Sequence, residues 1–170
     1  TGINASNGGS VLWYAKTASK PKFTIETTEH TFLNHAFHYP GSVKWEDVSV
    51  TLVDPGGDID VAASLSAIVQ AAGYTPPTDA TNENLTSLSK AKAVGALGQV
   101  LITQIDADGN PIETWTLWNG FITGVEFGDL AYGEDDLNEL TVTIKYDWAR
   151  LQTTVPGAAI VDEGTEYFNI

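Results

Sequence analysis

A chain of 170 residues and 18.2 kDa is long enough to bury roughly 70% of the surface its unfolded form exposes, and it is expected to form a single domain over residues 1–170. Its 22 acidic against 8 basic residues give a formal net charge of −14, which disfavours binding to nucleic-acid phosphates or to an anionic membrane surface. Five Trp, six Tyr and six Phe exclude a solvated acidic tail, and the absence of Cys excludes disulfides, thiol nucleophiles and thiolate metal sites.

The opening TGINASNGGS lacks a basic region followed by an apolar core, and VAASLSAIVQAAG, residues 61–73, is too short and too polar to span a bilayer. Neither an export signal nor a membrane span is therefore expected. Val11 to Lys16 and Phe23 to Phe37 read as extended, with Pro40 and Gly41 as punctuation. Val48 to Val53 reads as a strand ended by the turn residues Asp54, Pro55, Gly56 and Gly57. From Asp58 the period changes: Val61, Leu65, Ile68, Val69 and Ala72 stand at helical spacing, with Asp58 as N-cap and Gly73 as stop. This predicts a helix lying on a sheet. Pro76 and Pro77 open an irregular segment to Asn84, and Leu85 to Val94 reads as a second short helix.

Four strands follow, Gln99 to Asp106, Ile112 to Trp118, Gly120 to Phe127 and Leu137 to Trp148, joined by ADGNP, a single Asn119 and the acidic loop Gly128 to Asp136. Connections this short favour antiparallel neighbours. From Glu139 to Trp148 the alternation is unbroken, with Leu140, Val142, Ile144, Tyr146 and Trp148 on one face and Glu139, Thr141, Thr143, Lys145 and Asp147 on the other. One long strand is expected, buried on one side and wet on the other. The architecture is thus mostly β, an antiparallel barrel or sandwich with one flanking helix.

No motif points to catalysis. His30, His35 and His38 lie close in sequence, but on one strand His30 and His38 share a face while His35 takes the other, so the three do not converge on an ion. Asp106, Asp108 and Asn110 imitate the start of a calcium loop, yet Pro111 replaces the sharp-turn Gly and Leu117 the closing Glu, which leaves a polar hairpin turn. Phosphate-cradling glycine loops, GxSxG and HExxH are all absent. No catalytic, cofactor-binding or metal residue is assigned, and no cofactor is expected. Trp115 and Trp118 stand three apart and face opposite sides of a strand, which argues against a shared platform for a carbohydrate.

The run WTLWNGFITGVEFGDLAYGEDDLNELTVTIKYDWARL, residues 115–151, resembles the C-terminal signature of the tail tube proteins of contractile-tailed bacteriophages. Its most specific pieces are Phe127, Gly128, Asp129 and Leu130 with Tyr132 after them, and the strand ending in Tyr146, Asp147 and Trp148. HYPGSVKWEDVSVTL, residues 38–52, resembles an earlier segment of that family. The resemblance implies a barrel-like subunit related in fold to the Hcp ring protein of type VI secretion. Six subunits form a ring, and rings stack into a tube inside a contractile sheath. It further implies a structural virion protein, assembled in the host cytoplasm, whose partners are itself, the tail sheath and the baseplate and terminator proteins. DNA passes through the lumen without specific binding, and six copies of −14 set about −84 charges around it. Glu139, Thr141, Thr143 and Lys145 are then candidates for the lumen wall. Residues 1–10 and 152–170 are candidate arms, with Tyr167, Phe168 and Ile170 as inter-subunit contacts. The alternatives are a secretion-system ring or a tube-initiating baseplate subunit of the same fold and, from another class, a β-sandwich binding module.

Overall fold

The computed structural model describes residues 15–54, 60–76, 87–129, 137–153 and 166–167. The elements in chain order are β1 (Ala15–Ala18), β2 (Phe23–Phe32), β3 (His35–Trp45), β4 (Val48–Val53), α1 (Val61–Ala71), α2 (Lys90–Leu97), β5 (Val100–Ile105), β6 (Pro111–Trp118), β7 (Phe121–Glu126), β8 (Glu139–Lys145), β9 (Trp148–Thr153) and β10 (Glu166–Tyr167). All pairings are antiparallel. One sheet has the order β1-β4-β8-β7, the second β10-β9-β6-β5, and β2 and β3 form a separate two-stranded ribbon. Among the described residues the two four-stranded sheets are not joined edge to edge, so the arrangement is a sandwich and not a closed barrel.

The core lies between the sheets. Val48 and Leu52 of β4 and Leu140, Val142 and Ile144 of β8 meet Leu117 of β6 and Ala149 of β9, with Val61 and Leu65 of α1 and Leu97 of α2 packed into the same cluster. The period of two in β4 and β8 sends these side chains inward because successive residues of a strand point to opposite faces. The two helices meet through Ile68 and Ala72 of α1 and Ala93 and Ala96 of α2, with Ile122 of β7 beneath them.

The helical spacing of Val61, Leu65, Ile68 and Ala72 is the buried stripe of α1, while Val69 is only half-buried. The cap differs from expectation: Asp60 caps α1, its carboxylate accepting from the Ala63 amide at 2.9 Å, and Asp58 lies outside the described residues. Gly73 ends the helix as anticipated. It sits at φ 108° with its amide donating to the Gln70 carbonyl, and a Cβ there would come within 2.8 Å of the Ser87 carbonyl. A second helix does form, capped by Ser89 and displaced toward the C-terminus from the expected span.

Pro40 and Gly41 do not interrupt the chain. They lie inside β3, where a bulge sets Gly41 and Ser42 opposite Glu26. Each strand of a two-stranded ribbon is an edge, so the missing amide of a proline is tolerated there. Gly41 is required by crowding, since a Cβ would stand 3.0 Å from the Glu26 carbonyl oxygen. Phe23 to Phe37 is therefore a hairpin, not one strand, and it reverses at Leu33 and Asn34, both at positive φ.

Candidate functional site

The signature segment Tyr146–Trp148 occupies a joint. The expected single strand from Glu139 to Trp148 is two: β8 ends at Lys145 in the first sheet, and β9 begins at Trp148 in the second. The alternation slips by one residue in crossing. Tyr146 is still buried with Leu140, Val142 and Ile144, but Trp148 is 39% exposed and Ala149, fully buried, takes its place in the core. Hydrogen bonding at the corner accounts for the slip. The Asp147 amide donates to the Trp118 carbonyl at 3.0 Å, and the Asp147 carboxylate accepts from Lys90 Nζ at 2.6 and 2.7 Å and from Asn119 Nδ2 at 2.8 Å. Lys90 foremost, then Asn119, holds this carboxyl below its ordinary value.

The partner Asn119 marks a second crossing. A one-residue link between β6 and β7 suggested a hairpin, but β6 pairs with β5 and β9, whereas β7 pairs with β8. Asn119, at φ 54°, lets the chain leave the second sheet for the first beside the point where β8 leaves the first for the second. Asp147 thus ties together both crossings and the start of α2.

Tyr146 serves a different neighbour. Its ring lies 5.9 Å from that of Trp45, and Trp45 meets Phe23 edge-on at 5.2 Å. These contacts root the β2–β3 ribbon in the core. Beyond its root the ribbon is exposed throughout, carrying Phe32 at 61%, Leu33 at 80%, Phe37 at 50% and Tyr39 at 56%. Its register gives the two faces different patterns. Phe23 and Ile25 oppose Trp45 and Val43 on one face near the root, whereas beyond the bulge Tyr39, Phe37 and Phe32 share the other face with His30 and His35. The grouping of the histidines is corrected accordingly: His30 and His35 share a face, and His38 lies across from Glu29 on the other. The earlier grouping assumed one strand where there is a hairpin.

The wet face of β8 holds the expected lumen candidates in one row. Glu139, Thr141 and Thr143 are half-buried and Lys145 is exposed. Thr141 stands between Thr51 of β4 and Glu126 of β7, and Thr143 between Ser49 and Gly124. Both charges of the row are paired, Glu139 with Lys16 and Lys145 with Asp47 at 3.2 Å. The row ends near the other signature piece. Gly128, at φ 72°, faces the Glu139 backbone so closely that a Cβ would fall 2.4 Å from its carbonyl oxygen. Phe127 and Asp129 are exposed, while Leu130 and Tyr132 lie outside the described residues.

Phe168 and Ile170 also lie outside the described residues. Tyr167 belongs to β10 and pairs with Leu151 of β9, and Gln152 and Thr153 belong to β9, so part of the expected 152–170 arm is built into the second sheet. The DADGN segment is a hairpin turn in which Asp106 accepts from the amides of Asp108 and Asn110 at 2.9 and 2.8 Å; the Asn110 amide is the main reason its carboxyl is held low. Among the described residues no group of three or more His, Asp or Glu is placed to hold a metal ion. No described helix is long and apolar enough to cross a membrane.

One arrangement escaped the sequence pattern. Trp118 and Trp148, paired across β6 and β9, stack at 6.0 Å between ring centres and 11° between planes, and the Arg150 guanidinium lies 4.6 Å above the Trp118 ring. The slip at Asp147 brings Trp148 and Arg150 to the outer face, and an unbroken alternation hides it. Trp115 turns toward the core, opposite to Trp118, as their spacing requires.

These features define a class: a two-sheet antiparallel sandwich whose sheets exchange strands at one corner, with a pair of helices and a long projecting ribbon. No family model matches the chain, and no curated protein matches it by sequence. Solved structures do match. A chain of the sheath/tube terminator of an extracellular contractile injection system, PVC, in its extended state is similar with TM-score 0.57 at 14% identity, over 82% of this chain and 85% of that one. A chain of the PVC sheath-tube complex in the extended state matches with TM-score 0.56 at 14% identity, over 82% and 80%. A chain of the six-fold symmetrised baseplate of the anti-feeding prophage matches with TM-score 0.55 at 14% identity, over 79% and 77%. The chain has the fold found in these contractile injection particles, in agreement with the tail-tube resemblance of its sequence.

Proposed function

We propose that this chain is a structural subunit that assembles with copies of itself into six-membered rings stacked as the inner tube of a phage-type contractile tail, a conduit for DNA. The observation that carries the reading is the β2–β3 ribbon, which holds large apolar side chains in water along both its faces. Apolar surface of this extent on a soluble chain marks a surface that another protein covers. The fold supports a tube subunit as that protein's identity, and the six-fold symmetry of the baseplate containing one similar chain supports the ring number. Sheath, terminator and baseplate proteins are proposed as further partners because the similar chains come from particles with those parts.

In this reading the threonine-rich wet face of β8, with Glu139, Thr141, Thr143 and Lys145, lines the lumen. Its charges are locally paired, so the repulsion of DNA comes from the −14 total of the whole chain. At physiological salt that repulsion reaches only about 8 Å, which prevents sticking without barring entry. The subunit acts as one domain, needs no cofactor and performs no catalysis, and its place is the virion.

Light scattering over a concentration series, followed by negative-stain imaging, tests the proposal. Tubes with six-fold end views are expected. A chain that remains an 18.2 kDa monomer at millimolar concentration overturns self-assembly. Single rings that never stack favour the secretion-type ring or tube-initiating subunit.

A further inference from the structure

Beyond the bulge, one face of the β2–β3 ribbon sets two histidines among its aromatic side chains. Three rows of paired residues make this patch, Thr28 with Tyr39, His30 with Phe37 and Phe32 with His35, and every member is exposed. The His35 ring lies 6.5 Å from that of Phe37, within the patch and not turned away from it. We infer that the patch is a pH-controlled contact between copies of this chain, closed while His30 and His35 are neutral and opened when they are protonated; the choice of partner rests on the tube reading. Its cover is the opposite face of a neighbour's ribbon at the root, where Phe23, Ile25 and Val43 are 44%, 50% and 53% exposed. In a chain with 22 acids, neither patch has an acid among its paired residues, so two copies bring these surfaces together without burying a carboxylate.

What faces the imidazoles decides the sign. On their own face the ribbon adds Tyr39 and, toward the root, Glu26, which is bound to Lys44 and accepts from the Ser42 hydroxyl at 3.2 Å. Glu29 belongs to the other face, where it accepts from the Thr31 hydroxyl at 3.3 Å and stands across from His38. On the covering side Lys22 and Glu46 flank the end of the ribbon, and Asp47 beyond them is paired with Lys145 at 3.2 Å. An imidazolium laid on Phe23, Ile25 and Val43 therefore loses its water without gaining a counter-ion, whereas a neutral imidazole loses far less. Free imidazole is half protonated at about pH 6.5, so each histidine that must be neutral in the contact raises the concentration needed for assembly about ten-fold between about pH 7.5 and 5.5. Protonation also lessens the net negative charge that drives copies apart, but that repulsion is screened beyond about 8 Å, while desolvation acts in the contact itself.

The test measures, by light scattering at about pH 7.5, 6.5 and 5.5, the concentration at which tubes form. It compares the wild type with His38→Gln and with the double variant His30→Gln, His35→Gln, and the melting temperature of each unassembled chain is read at the same pH values. The wild type and His38→Gln are expected to need at least about ten-fold more chain at the lowest pH, and the double variant to stay within about two-fold, with melting temperatures that follow pH alike in all three. Val43→Glu, which puts a carboxylate into the covering patch, is expected to assemble poorly at about pH 7.5 and to gain on acidification as the imidazolium finds a counter-ion. Wild-type tubes with one threshold at every pH overturn the switch and leave the tube reading standing. A pH dependence that survives in the double variant overturns the assignment to His30 and His35. A Val43→Glu chain that keeps the wild-type dependence, or assembles at no pH, overturns the root patch as the cover. A wild-type chain that never assembles overturns the tube reading and this contact together.

Discussion

Replacing Phe37 by Ser should weaken assembly without weakening the fold. Phe37 sits beyond the bulge of the ribbon, 50% exposed, opposite His30. A phenylalanine presents about 200 Å² in all, so about 100 Å² of its surface waits to be covered by a neighbour. At about 25 cal/mol per Å², covering it contributes about 2.5 kcal/mol to each contact. Losing that contribution should raise the dissociation constant of the contact about 70-fold. The other half of the ring is covered within the ribbon, where the His35 ring lies 6.5 Å away between centres, and Phe37 has no place in the core cluster, so its loss should leave the unfolding of the core little changed. Sedimentation velocity over a concentration series reads the first quantity and thermal unfolding of the unassembled chain the second. An assembly threshold that stays within two-fold of wild type, or a melting temperature that falls along with assembly, would refute the reasoning by showing that Phe37 serves the fold and not a neighbour.

Gly128→Ala should destabilise the chain by at least about 2 kcal/mol in urea unfolding, since a left-handed φ of 72° is combined with a Cβ only 2.4 Å from the Glu139 carbonyl. Asp147→Asn should cost about 1 kcal/mol at pH 7, where the wild-type carboxylate is ionised and bound to Lys90 and Asn119. Because folding lowers the pKa of Asp147, its contribution is present above the ordinary carboxyl value and is lost as pH falls through the depressed one; the gap between variant and wild type should therefore close as the pH is taken below the ordinary carboxyl value. A gap that widened with acid would contradict the assignment.

Much of the architecture was legible because it follows from period and turn chemistry. Val48–Val53 alternates, ends at a proline and two glycines, and forms β4 with those bounds. The stripe of α1 needs only its own spacing. What was hidden depends on distant partners. Nothing local distinguishes a strand that continues from one that crosses to another sheet: Glu139 to Trp148 alternates without a break, and the crossing is imposed by Lys90, Asn119 and the Trp118 carbonyl, which lie 28–57 residues away for the side-chain bonds. The same cause hid β9, which closes the second sheet by pairing with β6, and with it the stack of Trp148 and Trp118. Pro40 and Gly41 misled for the opposite reason. Their turn chemistry is real, but in a ribbon that has two strands among the described residues it yields a bulge rather than an end.

The bulge opposite Glu26 has a consequence for symmetry. It leaves the ribbon with apolar side chains on one face near the root and on the opposite face toward the tip. A two-fold partner pairing one patch with its own image covers a single face and leaves the other in water. Both are covered only if each ribbon lies between two neighbours that present different surfaces to it, which is head-to-tail association. Such contacts close when the rotation between copies divides a full turn, and otherwise they run on without limit. In the proposed tube, contacts of this kind would set no length of their own, so the length would have to be set by other proteins.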